Sequence, residues 1–174
     1  TSRRQRQMCI RDSFLNGFTT ADDLKCALMG LRKVTDAPII ASVDVQGDGG
    51  LASGRGTWRE AVEVMAEYGA AVAGFSTLAT PDQARGLADA ARETLEARGA
   101  DLCLMATLQV FQRDAKQQGP TTENPYYSPD TMMPAALELR AAGVQFLRAA
   151  GQATPAYTGV LAATVAGLDV APVL

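Results

Sequence analysis

The chain has 174 residues, 47% of them apolar and 20% charged, enough for one globular domain with a real core. It carries a net charge of −3 and no histidine, which removes Ser-His-Asp triads, Cys-His dyads, imidazole proton shuttles and His-ligated zinc. No apolar stretch approaches the roughly 20 residues of a membrane span, and the N-terminus lacks a signal-peptide core, so the expected location is the cytoplasm.

The first thirteen residues (TSRRQRQMCIRDS) hold Arg3, Arg4, Arg6 and Arg11 against Asp12, a net of +3, and leave the rest of the chain at −6. An acidic body without a basic stripe argues against nucleic-acid binding. The head starts without Met, shares no periodicity with the residues after it and resembles translated adapter sequence. Residues 1–13 are therefore read as a non-native or disordered head, and residues 14–174 as the domain.

Beyond the head lie five short apolar runs: Phe14–Asn16, Pro38–Val45, Ala71–Thr77, Leu102–Val110 and Val144–Arg148. Each precedes a Ser or Thr at a helix start, namely Thr20, Thr57, Thr80, Ser128 and Thr154. This is the rhythm of βα units feeding a parallel sheet. Leu24, Ala27, Leu28 and Leu31 share one face of the first helix. Thr57 and Glu60 form a capping box, in which each side chain satisfies the other's backbone N–H. Thr80-Pro81-Asp82-Gln83 repeats the device with proline at the first helical position, and Gly99 ends that helix in a left-handed turn. Pro134 is expected to kink or delay the fourth helix. Five such units fit a small open α/β sheet, and equally the last five units of an eight-fold barrel.

In such folds ligands bind on the loops after the strands. The glycine-rich loop Gln46–Gly56 matches neither the dinucleotide fingerprint nor the P-loop, and is read as a flexible substrate-side loop rather than a phosphate site. The connection Gln112–Tyr127 is long and polar, either a lid or disordered. Its Tyr126-Tyr127 pair either covers a pocket or packs on neighbouring helices. The three cysteines, Cys9, Cys26 and Cys103, are too scattered for a disulfide framework or a metal cluster.

The segments FLNGFTTADD (14–23), APIIAS (37–42), the loop 49–57, YGAAVAGFST (68–77) and the stretch from Ala142-Gly143-Val144 to Thr154-Pro155 share an order and spacing. Together they resemble the second half of a homocysteine S-methyltransferase barrel, from about Phe14 to Gly167. The resemblance implies strands four to eight of a (β/α)8 TIM barrel, methyl transfer to a thiol, and zinc held by three cysteine thiolates that keeps the acceptor sulfur deprotonated. It implies a small-molecule substrate or methyl donor as partner (a folate, corrinoid, betaine or sulfonium compound) and allows a corrinoid protein.

The thiolates are missing. Thr77 stands where the family's first cysteine falls, and Ala150 and Gly151 occupy the paired positions. Cys26 lies on a helix and Cys103 near the start of a strand, at the wrong end. Asn16 replaces the acidic residue expected after strand four. No metal or cofactor is therefore predicted. Asn16, Ser76, Thr77 and Gln152 become the candidate substrate-binding residues, with Ser42, Asp44, Asp48, Thr107 and Thr154 at the same barrel mouth. Asp44 and Asp48 suit either Mg²⁺ or plain solvation. Ser76, Thr77 and Gln152 suit either a polar substrate or helix capping.

The leading expectation is a fragment of a homocysteine S-methyltransferase-like protein without the zinc chemistry. The alternative is a non-catalytic, degenerate barrel domain that serves assembly or regulation with a partner. The exposed apolar edges of an isolated half-barrel also invite self-association.

Overall fold

The computed structural model describes residues 13–111 and 118–168; the head through Asp12 and the centre of the long polar connection lie outside the described residues. Five strands alternate with five helices: β1 Ser13–Phe18, α1 Ala21–Arg32, β2 Ile39–Asp44, α2 Trp58–Glu67, β3 Val72–Thr77, α3 Pro81–Arg98, β4 Cys103–Val110, α4 Met133–Ala141, β5 Phe146–Gly151 and α5 Pro155–Leu168. All neighbouring strands are parallel and lie in chain order, β1-β2-β3-β4-β5. The sheet curls into half a barrel. The Arg148 guanidinium of β5 sits 5.4 Å from the ring centre of Phe14 on β1, so the two edge strands meet across the concave side. An open, flat sheet would hold them three strands apart.

The helix starts follow from their capping chemistry. The Thr20 hydroxyl accepts from the Asp23 N–H at 3.1 Å. At α2 the Thr57 hydroxyl accepts from the Glu60 N–H, and the Glu60 carboxylate accepts from the Thr57 N–H at 2.7 Å. Gln83 accepts from the Thr80 N–H at 3.1 Å. Gly99 closes α3 at φ 60°. Pro134 acts as a delay rather than a kink. A 3₁₀ turn, Pro129–Met132, precedes α4, which starts at Met133 with the proline in its first turn, where a missing N–H costs nothing.

Alternation sorts each strand into two faces. Ile39, Ala41, Val43, Ala73, Phe75, Leu104, Ala106 and Leu108 point at the helices and are buried in the main core. Trp58 joins α2 to this layer. Its ring meets Phe75 edge-on at 5.5 Å, and its indole N–H donates to the Leu87 carbonyl of α3 at 2.8 Å.

Tyr126 is core, not a pocket cover. It is fully buried, its hydroxyl donates to the Ala79 carbonyl at 2.8 Å, and the Tyr157 hydroxyl donates to its own carbonyl at 3.0 Å. Burial pushes the Tyr126 phenol pKa well above its ordinary value of 10.0. Above pH 10 the unfolded chain loses this proton before the folded one does, so the folded state loses stability as pH rises, by about 1.4 kcal/mol per pH unit. Tyr126→Phe is expected to be the less stable protein at pH 8, by roughly 1 kcal/mol. Its deficit should shrink between pH 10 and 11 in paired urea titrations; a deficit constant across that range would contradict the assignment.

Candidate functional site

The other face of the sheet is concave, and its register sets out rows of side chains. Ser42, Gly74, Met105 and Phe146 are successive partners across β2 to β5, and Asp44, Ser76, Thr107 and Arg148 form the next row towards the C-terminal strand ends. The first row is tight at its glycine, where a Cβ would lie 2.7 Å from the Met105 methyl and 2.9 Å from the Ala41 carbonyl oxygen.

A cavity of about 530 Å³ opens at the C-terminal ends of β2, β3 and β4. Its polar lining includes Asp44, Asp48, Ser76, Thr77, Gln83 and Gln109, and no lysine or arginine lines it among the described residues. Ser76 is buried and its hydroxyl accepts from the Gln109 amide at 2.7 Å, which leaves its own proton free for donation. The Thr77 hydroxyl, also buried, accepts from the Ala79 N–H at 3.1 Å and holds the turn after β3.

The wall beside this cavity is the glycine-rich loop, which has defined internal structure. Val45 pairs with Leu51 and Gly50 with Thr57 in short antiparallel bridges. Leu51 is fully buried, and the Ser53 hydroxyl donates to the Thr19 carbonyl at 2.6 Å. Asp48 accepts from the Gly50 N–H at 2.9 Å, which sets the turn at the cavity rim. One buried leucine and a few local bonds tie down a segment whose composition alone reads as mobile.

Of the candidate residues, the structure brings Ser76 and Thr77 together with Asp44 and Asp48. Asn16 stands exposed on β1 and Gln152 exposed after β5; neither lines this cavity, and the Gln152 N–H donates to the Val110 carbonyl at 2.8 Å. Thr154 is exposed at the start of α5, and its carbonyl accepts from the Tyr157 N–H. Gln83, read in the sequence as a helix-capping residue, and Gln109 also line the cavity, and neither is marked as a site residue by the sequence alone. Gln109 comes two residues after Thr107, and that period-2 spacing was the available signal.

The donor set does not fit a thiolate-bound zinc. Thr77, Ala150 and Gly151 offer no thiolate, Cys26 is exposed on α1, and Cys103 opens β4 at the opposite end; Cys9 lies outside the described residues. Gly151 takes φ 72°, and a Cβ there would stand 2.5 Å from the Val110 carbonyl oxygen. Among the described residues no three Cys, Asp or Glu side chains gather to hold a metal, and no helix is long and apolar enough to cross a membrane.

No family model matches the chain, and no curated protein matches it in sequence. Solved structures do match in fold. A 2,3-dimethylmalate lyase of the PEP mutase/isocitrate lyase superfamily superposes with a TM-score of 0.60 at 17% identity, over 85% of this chain and 48% of the lyase. The homocysteine methyltransferase MmuM from Escherichia coli superposes with a TM-score of 0.58 at 14% identity, over 86% of this chain and 44% of the enzyme. The chain thus spans about half the length of these barrel enzymes. At such identities the likeness shows the fold: the C-terminal part of a TIM-like barrel.

Proposed function

We propose that this chain forms the ligand-binding part of a methyl-transfer barrel whose cavity takes a cationic methyl donor, a sulfonium or quaternary ammonium compound, without a thiolate-bound zinc. The observation that carries this reading is the cavity at the strand ends, lined by the carboxylates of Asp44 and Asp48 and, among the described residues, by no basic side chain. Such a wall favours a positive ligand and disfavours an anionic one. The homocysteine S-methyltransferase resemblance of the strand-end segments supplies the reaction class, and the fold likeness to MmuM is in keeping with it.

In this reading the methyl leaves as the C–S or C–N bond breaks, its electron pair returns to the heteroatom, and the acceptor's lone pair forms the new bond. Positive charge on the donor is lost. Asp44 and Asp48 therefore stabilise the bound donor more than the neutral product, so they serve binding and discharge of product. Rate acceleration falls to positioning, for which the Ser76–Gln109 pair offers a fixed hydroxyl and a fixed amide.

The test is calorimetric titration of the 174-residue chain with S-methylmethionine, and with methionine as its neutral-sulfur counterpart. The sulfonium compound is expected to bind at least tenfold more tightly, roughly 1.4 kcal/mol, and Asp44→Asn to erase most of that margin. Equal binding of the two compounds, or a margin unchanged in Asp44→Asn, would overturn the reading.

A further inference from the structure

We infer that two copies of this chain close one ring, the β5–α5 flank of each docking beside the β1–α1 flank of the other about a two-fold axis along the barrel. This goes beyond the methyl-donor reading and does not depend on it. Among the described residues β1 and β5 each have one neighbouring strand, so each turns a row of backbone N–H and C=O groups outward. Phe14 on β1 and Phe146 on β5 stand 46% and 48% exposed. Between β5 and α5 runs a groove of about 750 Å³, lined by Phe146, Ala149, Leu161, Ala162, Val165 and Ala166. α5 has no charged residue along its length, a composition that suits a helix enclosed by protein. Yet Gly159, Ala162 and Ala166, spaced to share one side of it, are exposed.

α1 offers the matching flank. Lys25 and Arg32 reach towards α2, the first over the Tyr68 ring and the second to the Tyr68 carbonyl. The opposite side holds Ala27, Gly30 and Leu31, and Val34 follows just beyond the helix at 78% exposure. A Cβ at Gly30 would meet nothing within 4 Å. Within the chain each βα unit meets the next by the same two contacts, parallel strand on strand and helix on helix. The β5–α5 flank against the β1–α1 flank of a second copy repeats them, so each end of the chain carries what the other end lacks. Curvature sets the number of copies. Arg148 reaches Phe14 across the concave side, which makes the five strands half a turn, and one further copy then fills both flanks at once. A flatter arc would instead add copies without closing.

The test is sedimentation equilibrium of the full 174-residue chain over a wide concentration range. A mass of twice 18.3 kDa is expected, with no growth beyond it. Ala162→Glu sets a carboxylate in the α5 flank, and Gly30→Lys sets an ammonium in the α1 flank. Both positions are exposed, and both new residues favour helix, so each monomer should keep its fold by circular dichroism. Each variant alone is expected to dimerise at least tenfold more weakly, because both junctions of its dimer enclose an unpaired charge. An equimolar mixture of the two is expected to regain the dimer. One junction then pairs the carboxylate with the ammonium, and the other is wild type. The inference is overturned by a monomer at every concentration, by species that grow past the dimer, or by undiminished dimerisation of either variant. A mixture no stronger than its parts would also overturn it, and would mark α5 packed on α5 in place of α5 on α1.

Discussion

Trp58→Ala is expected to lower the unfolding free energy by about 3–5 kcal/mol, the range for emptying a large buried aromatic site. Trp58 is 1% exposed and ties three elements together: it leaves α2, meets the Phe75 ring of β3 edge-on, and donates to the Leu87 carbonyl of α3. Truncation opens a cavity in the main core, removes the edge-to-face contact, and leaves the Leu87 carbonyl without its indole donor. Domains of ordinary stability hold about 5–15 kcal/mol in all, so the variant should unfold at a clearly lower urea concentration than the wild type. Trp58→Phe should recover part of the loss, since it fills much of the volume but cannot donate. Because this is the sole tryptophan, the measurement calls for circular dichroism rather than indole fluorescence. A loss under about 1 kcal/mol for Trp58→Ala would mean that the α2–α3 layer is not packed as described.

The second large effect concerns Gly151→Cys. The substitution places a cysteine at one of the paired thiolate positions of the methyltransferase resemblance, and it is expected to destabilise the protein by ~2–4 kcal/mol instead of preparing a metal site. Two costs combine. A side chain at φ 72° is strained in the left-handed region, and its Cβ would press to 2.5 Å from the Val110 carbonyl oxygen, a backbone atom with little room to retreat. Ala150→Cys carries neither cost and should be tolerated. Urea denaturation of the two single variants separates them; equal stability would show that the β5 terminus can relax to accept a ligand side chain.

The strands and helix caps were legible in the sequence because their determinants are local. The run Ala71–Thr77 became β3 Val72–Thr77, and Thr57 with Glu60 formed the box that its spacing announced. Pro134 acted within its own turn. The closure of the concave face was not legible, since the approach of Arg148 to Phe14 joins residues 134 positions apart and depends on sheet curvature. The same holds for the row Asp44–Ser76–Thr107–Arg148, which exists only once the strand register is known. Of the candidate site, Ser76 and Thr77 could be placed from strand-end position alone. Asn16 and Gln152 belong to the two edge strands' ends, whereas the cavity opens at the ends of β2, β3 and β4. The internal bridges of the glycine-rich loop were not legible, because they depend on Leu51, a single apolar residue within it, reaching the core.

The central claim is that the barrel mouth binds a charged small molecule through Asp44 without a thiolate-held metal. The direct measurement is the S-methylmethionine titration repeated on chain stripped with a zinc chelator and on chain supplied with stoichiometric zinc. The account predicts the same affinity in both, about one-tenth as strong in Asp44→Asn. Binding that appears only with zinc, or that ignores the loss of the Asp44 charge, would contradict it.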